Sequence, residues 1–222
     1  ASIMDRRKLS LGLLTFSLVG GAQTADAEAR FRHHTFRQRG RSMQPTIQPG
    51  DRVRVRLGEA TLGVADGNGL VQVNRGDCVA FVAPVWSDAI VIFRVIGLPG
   101  ETILTIDQQG VLIDGVSILR EDAGPAPSDP SYYMDNPAPG PWQQYECARG
   151  VRESLPNGVS FLTLHSRPPG SFAARPARSP VVVPNENLLV LGDARDNAND
   201  SRFELGMLPL SQVIGKVVSE QG

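Results

Sequence analysis

The chain has 222 residues, 41% hydrophobic and 20% charged, and 22 Lys+Arg against 23 Asp+Glu leave a formal charge of -1. That is a globular composition, long enough for one sizeable core or two small ones, and its near-neutral balance argues against a dedicated nucleic-acid binder. Two cysteines exclude both a disulfide-dense scaffold and a multi-cysteine zinc fold, while 23 Gly and 17 Pro against 6% aromatics exclude a helical bundle or coiled coil.

In chain order, the first predicted element is an export signal at residues 1–27. Arg6-Arg7-Lys8 precede an apolar run from Leu9 to Ala22, and Ala25-Asp26-Ala27 then places small residues at the spacing of a processing site. The run is shorter than the roughly 20 residues of a relaxed transmembrane helix, which favours a cleaved signal over a short signal anchor. The arginine pair also resembles a twin-arginine signal. Residues 28–40 read as a linker. Between Arg30 and Arg56 lie eight arginines and one acidic residue, Asp51. Such a run is either a solvated face or a surface drawn to anionic lipid headgroups.

Short apolar segments bounded by Gly, Pro or Asp then predict strands at Arg52 to Leu57, Asp77 to Val82, Ala89 to Ile96, Thr102 to Ile106 and Val111 to Ile118. Asp114-Gly115 inside the last of these predicts a hairpin turn. Later strands are expected at Val159 to Leu164, Asn187 to Leu191 and Val213 to Ser219. The class is mostly β. Twelve of the 17 prolines fall between Glu121 and Pro184, which marks a loop-rich insertion. The expected plan is a β core at 41–101 and 184–222 with an inserted β region at 102–183. Export would permit a Cys78–Cys147 disulfide, although a buried apolar thiol suits Cys78 equally well.

Four motifs occur in a fixed order: Ser42-Met43-Gln44-Pro45-Thr46 with Gly50-Asp51; Arg75-Gly76-Asp77; Arg94-Val95-Ile96-Gly97-Leu98-Pro99-Gly100-Glu101; and Gly192-Asp193-Ala194-Arg195-Asp196-Asn197-Ala198-Asn199-Asp200-Ser201-Arg202. In that order they resemble signal peptidase I, the membrane-bound serine endopeptidase family that removes signal peptides. The Val111 to Ile118 hairpin, the Glu153-Ser154-Leu155-Pro156-Asn157-Gly158 run and Ile214-Gly215-Lys216 extend the resemblance over residues 40–218. It implies a signal peptidase I-like catalytic β core with an inserted loop-rich β region. It also implies that Ser42 is the nucleophile, that its own N–H helps hold the oxyanion, and that Met43, with Pro45 fixing the turn, meets the substrate. Arg94, Gly192, Asp193, Asp200, Ser201 and Arg202 would support the site.

The resemblance fails at the base. The family places a lysine immediately before Arg-Val-x-Gly-x-Pro-Gly, held neutral so that it can take the serine proton. Here that position is Phe93, which has no lone pair. The family serine that orients the lysine amine corresponds to Ala198. Gly40 supplies no oxyanion hydroxyl, and Ala194 replaces the usual Asn. His33, His34 and Lys216 lie elsewhere in the motif map, and His165 is a weak substitute base. Two readings follow: an exported serine endopeptidase whose activity is weak or lost, or an inactive homologue that binds exported peptides or regulates an active peptidase. A related self-cleaving Ser/Lys repressor is disfavoured by the export signal and the insertion. Extended segments of preproteins are the expected partners, with an anionic membrane surface as a further one, no nucleic acid, no metal and no cofactor. The expected location is the periplasm or the outer face of the cytoplasmic membrane.

Overall fold

Val53 and Val55 alternate with Arg52 and Arg54 along one strand, and the computed structural model buries the valines while exposing the arginines. It describes residues 32–63, 69–106, 110–125, 146–167 and 179–221. The predicted signal segment lies outside these, as does the side chain of Cys147; Cys78 is buried.

Sixteen strands account for most of the described chain. They are β1 (Arg32–Arg37), β2 (Arg52–Leu57), β3 (Glu59–Thr61), β4 (Leu70–Gln72), β5 (Cys78–Ala83), β6 (Ala89–Gly97), β7 (Thr102–Ile106) and β8 (Gly110–Ile113). Then come β9 (Val116–Ser117), β10 (Leu119–Asp122), β11 (Glu146–Ser154), β12 (Ser160–Arg167), β13 (Val181–Val182), β14 (Asn187–Leu191), β15 (Leu208–Pro209) and β16 (Val213–Gln221). The largest sheet runs β1-β2-β16-β5-β6-β14-β15, a three-stranded sheet runs β10-β11-β12, a four-stranded one runs β13-β7-β8-β9, and β3 pairs with β4. Every strand of the middle two falls between Thr102 and Val182, whereas the largest sheet is assembled from segments on either side of that stretch.

The Leu188-Leu189-Val190-Leu191 run of β14 is continuously apolar because both of its faces are covered. Leu188 and Val190 join a core with Val53, Val79, Phe81, Phe93 and Val95. Leu189 and Leu191 join a second core with Ile96, Ile103, Val111, Ile113 and Phe161. One strand thus welds the large sheet to the three- and four-stranded sheets. Asp114 and Gly115, at φ 51° and 81°, make the predicted turn between β8 and β9.

The stretch read as a linker holds β1, paired antiparallel with β2 from Arg32↔Leu57 to Arg37↔Arg52. Its sequence, Arg-His-His-Thr-Phe-Arg, carries little apolar signal, and Phe36 alone of β1 packs against the core. β11 also went unpredicted. Its inward residues Val151 and Glu153 are separated by charged Arg152, and Glu153 is buried by ion pairing rather than by apolar character.

Candidate active site

The turn after β1 brings Ser42 to the surface while burying its neighbours. Met43 and Ile47 are fully enclosed in the core, Gln44 is buried, and the Gln44–Pro45 bond is cis. Ser42 is partly exposed. Its carbonyl accepts the Ala194 N–H at 3.0 Å, which ties the serine turn to the segment after β14.

Gly192 is the point of convergence. A Cβ built there would lie 2.3 Å from Ala198 Cβ, 2.6 Å from the Ser42 carbonyl oxygen and 3.5 Å from Phe93 Cε1. Ser42, Phe93 and Ala198, separated by up to 156 residues in sequence, therefore crowd one spot that only a glycine backbone fits. Phe93 is 2% exposed, with its ring 5.9 Å from that of Phe81 and 6.5 Å, edge-on, from that of Trp86. Ala198 is fully buried. The corner that meets the serine turn is apolar.

Around this corner the charged residues of the motifs act as struts. Arg94 donates from Nε to Asp193 Oδ1 at 2.8 Å and from Nη2 to Oδ2 at 2.6 Å, gives Nη1 to the Gly76 carbonyl at 2.8 Å, and stacks 4.2 Å over the Phe161 ring. The Thr46 hydroxyl donates to the same Asp193 carboxylate. One buried ion pair thus fastens the far end of the serine turn to β6. Asp200 accepts from Gly192 N–H at 2.9 Å and from both ends of the Arg202 guanidinium at 2.8 and 2.9 Å; Arg202 also reaches the Arg195 carbonyl at 2.6 Å. The Ser201 hydroxyl accepts the Val190 N–H at 2.9 Å.

Sequence reasoning assigned no role to a second network. Arg195 donates to both oxygens of fully buried Glu153 and to the Gly192 carbonyl at 3.1 Å, while Arg120 lies 3.3 Å from the same carboxylate. Glu153 and Arg195 were visible inside quoted motifs, but nothing in one sequence pairs residues 42 positions apart. His165 sits against this network. Burial first, and then Arg195, Arg120, Arg202 and Arg149, push its pKa down to about 3. It is neutral near pH 7, and its Nε2 faces Arg120 Nη2 at 3.4 Å and the Thr163 hydroxyl at 3.2 Å. Lys216 Nζ donates to the Gln72 carbonyl at 2.8 Å and lies 3.4 Å from Asp77. The polar contacts of His165, the candidate substitute base, and of Lys216 go to groups other than Ser42.

Beside Ser42 opens a groove of about 570 Å³, bounded by Thr35 to Gly40 on one side and Ala89 to Ile92 on the other. Met43 and Pro45, expected at the substrate, are not among its lining residues; Ser42 is. Among the described residues β1 pairs only with β2, and β6 meets β14 only from Arg94 onward, so both walls present backbone edges with no strand partner. An extended chain fits such a slot by completing the ladders. Among the described residues, no group of His, Cys, Asp or Glu is arranged to hold a metal ion.

A serine on a tight turn, at the floor of a groove with open strand edges, is the layout of a β-built serine peptidase. The chain belongs to the family described as signal peptidase, peptidase S26, whose sequence profile matches residues 22–220. It is 32% identical over 146 residues to a signal peptidase I of Rickettsia typhi, and 32% identical over 146 residues to that of Rickettsia akari. Each match covers 64% of this chain and 49% of the relative, so the chain spans about half the length of the curated relatives it matches. A solved signal peptidase I structure from Enterococcus faecalis V583 is 24% identical, covering 66% of this chain and 97% of that one, with a TM-score of 0.34.

Proposed function

We propose that this signal peptidase scaffold receives extended segments of exported preproteins in the groove between β1 and β6, with Ser42 in the nucleophile position, and that its hydrolytic turnover is weak or lost. The observation that carries this is the apolar corner at Gly192, filled by Phe93 and Ala198; the reading takes these two as the family's positions for the base and its orienting hydroxyl. Attack by Ser42 on a peptide carbonyl requires a partner to take the hydroxyl proton, and a phenyl ring takes none at any pH. General-base assistance is worth typically 10²–10⁴-fold, and loss of one member of a cooperative unit costs up to roughly 10⁶. Arg94 with Asp193, and Asp200 with Arg202, support the site structurally, and Ser201 fixes β14 beside it. The reading includes the plan set out from sequence: a β core at 41–101 and 184–222, an insertion at 102–183, and a location on the exported side of the cytoplasmic membrane.

The competing reading is an efficient peptidase whose base comes from elsewhere. Purified protein incubated with a signal-bearing preprotein, beside Ser42→Ala, separates the two. Under the present reading both proteins bind a labelled peptide with small residues at alternate positions, and the parent cleaves slowly or not at all. Rapid cleavage by the parent that vanishes in Ser42→Ala refutes it.

A further inference from the structure

The groove beside Ser42 has two unlike walls. The β6 wall, Ala89 to Ile92, is apolar and uncharged, with Ile90 47% exposed. The β1 wall carries Arg37 and Arg39, both exposed, and the groove lining includes neither Asp nor Glu. Among the described residues neither arginine has an acidic partner. Asp51 accepts the Gln48 N–H at 2.7 Å, and Asp88 stands exposed just before β6, outside the lining. The cationic character continues behind this wall. Arg37 stands directly opposite Arg52 in the β1–β2 ladder, and Arg52 is exposed as well. Like charges placed across a strand pair repel, so this register carries a cost that an incoming carboxylate relieves.

The backbone favours a peptide as the carrier of that carboxylate. Gln38 donates its N–H to the Asp51 carbonyl at 2.9 Å, and its own carbonyl accepts the Gly50 N–H at 2.8 Å, so both of its main-chain groups point to the β2 side. Main-chain groups of successive residues in an extended strand point to opposite edges, so those of Arg37 point to the edge that has no strand partner among the described residues. A segment that pairs there sets alternate side chains beside Arg37 and, two residues on, beside Arg39. Its intervening side chains share the face of Phe36, which packs on the core, and small or apolar residues suit them. A free anion would meet the guanidinium groups without the ladder.

We infer that the groove selects extended peptides with carboxylate side chains at alternate positions, and that Arg37 and Arg39 are the residues that discriminate. The inference rests on the reading that the groove takes extended segments and adds which of them it prefers; whether Ser42 turns a substrate over does not enter. An exposed ion pair is worth about 1.4- to 5-fold in affinity, and a like-charge pair costs as much. Two positions, each counted once for attraction and once for repulsion, separate a glutamate peptide from a lysine peptide by at least about fourfold.

The test uses the full chain and three labelled peptides of equal length, with alanine at alternate positions and glutamate, glutamine or lysine at the others. Affinities are measured by fluorescence polarisation at low salt for the parent, for Arg37→Gln/Arg39→Gln, and for the control Arg149→Gln/Arg152→Gln on β11. The parent binds glutamate tighter than glutamine and glutamine tighter than lysine. The Arg37/Arg39 double variant brings the glutamate-to-lysine ratio close to one while holding the glutamine peptide as the parent does. The control keeps the parent ratio, and added salt compresses it. A ratio unaltered in the double variant, or an equal fall in the control, overturns the assignment to Arg37 and Arg39. Loss of the glutamine peptide by the double variant overturns it too, because the arginines would then hold the groove together rather than discriminate charge. A parent that binds all three peptides equally sinks the charge preference alone, whereas a parent that binds none of them sinks the groove reading as well.

Discussion

Replacing Phe93 by lysine puts an amine at the apolar corner formed by Gly192, Ala198 and the serine turn. The substitution removes a ring that is 2% exposed and in contact with Phe81 and Trp86. Losing two aromatic pairs costs about 0.5–1.5 kcal/mol each, and the loss of a large buried aromatic side chain costs about 3–5 kcal/mol in all. For a domain of this size that lowers Tm by about 6–20 °C, so assays of Phe93→Lys belong at low temperature. Desolvation lowers the amine pKa, so cleavage rises with pH as the neutral form fills. Without the orienting hydroxyl the base is poorly aimed and cleavage is slight. Adding Ala198→Ser raises the rate by roughly tenfold or more, within the 10²–10⁴ that a general base supplies. The assay is single-turnover cleavage of a signal-bearing preprotein across pH, with Ser42→Ala added to the double variant as the silent control. A parent as fast as the double variant refutes the assignment of Phe93 to the base position. A folded double variant with no cleavage at any pH refutes the claim that the groove still presents Ser42 to a scissile bond.

Two other outcomes follow from the geometry. Gly192→Ala forces a Cβ to 2.3 Å from Ala198 and 2.6 Å from the Ser42 carbonyl, neither of which is the tip of a flexible chain. It should destabilise by about 1–3 kcal/mol in denaturant titration and weaken peptide binding, and a neutral result would mean that this corner is looser than described. His165, with a folded pKa of about 3, binds its proton only in the unfolded chain between that value and the ordinary 6.5. Stability tied to its neutral form is thus complete above pH 6.5 and is lost as pH falls, by up to about 1.4 kcal/mol per unit. His165→Gln should flatten that part of the stability–pH curve, and an unaltered slope would assign the acid sensitivity to other groups.

The strands at Arg52, Cys78, Ala89, Thr102 and Asn187 were legible because each is an apolar or alternating run bounded by turn residues, a local property. β1 and β11 were not, since β1 is held by pairing with β2 and by Phe36 alone, and β11 buries a glutamate that only two distant arginines make tolerable. At the site, motif order placed Ser42, Phe93, Gly192 and Ala198 in one constellation, and the backbone brings them together. The burial of Met43 was hidden because its neighbours Ser42 and Pro45 stay partly exposed, and a turn gives no fixed alternation from which to infer which side chain turns inward.

Arg195 has a bearing on how far the chain can be cut down. Its guanidinium grips Glu153 of β11 while its Nε holds the carbonyl of Gly192 beside the serine turn. Excising residues 102–183 would strip this arginine of its counter-ion and of the β11–β12 wall that covers it, and would uncover Ile96, Leu189 and Leu191, which pack on Ile103, Val111, Ile113 and Phe161 of that stretch. Uncovering such side chains forfeits about 1.5–3 kcal/mol each, comparable together to much of the stability of a small domain. The stretch is thus no detachable ornament, and any shortened variant needs polar replacements at Ile96, Leu189 and Leu191 before its serine turn can be expected to hold position.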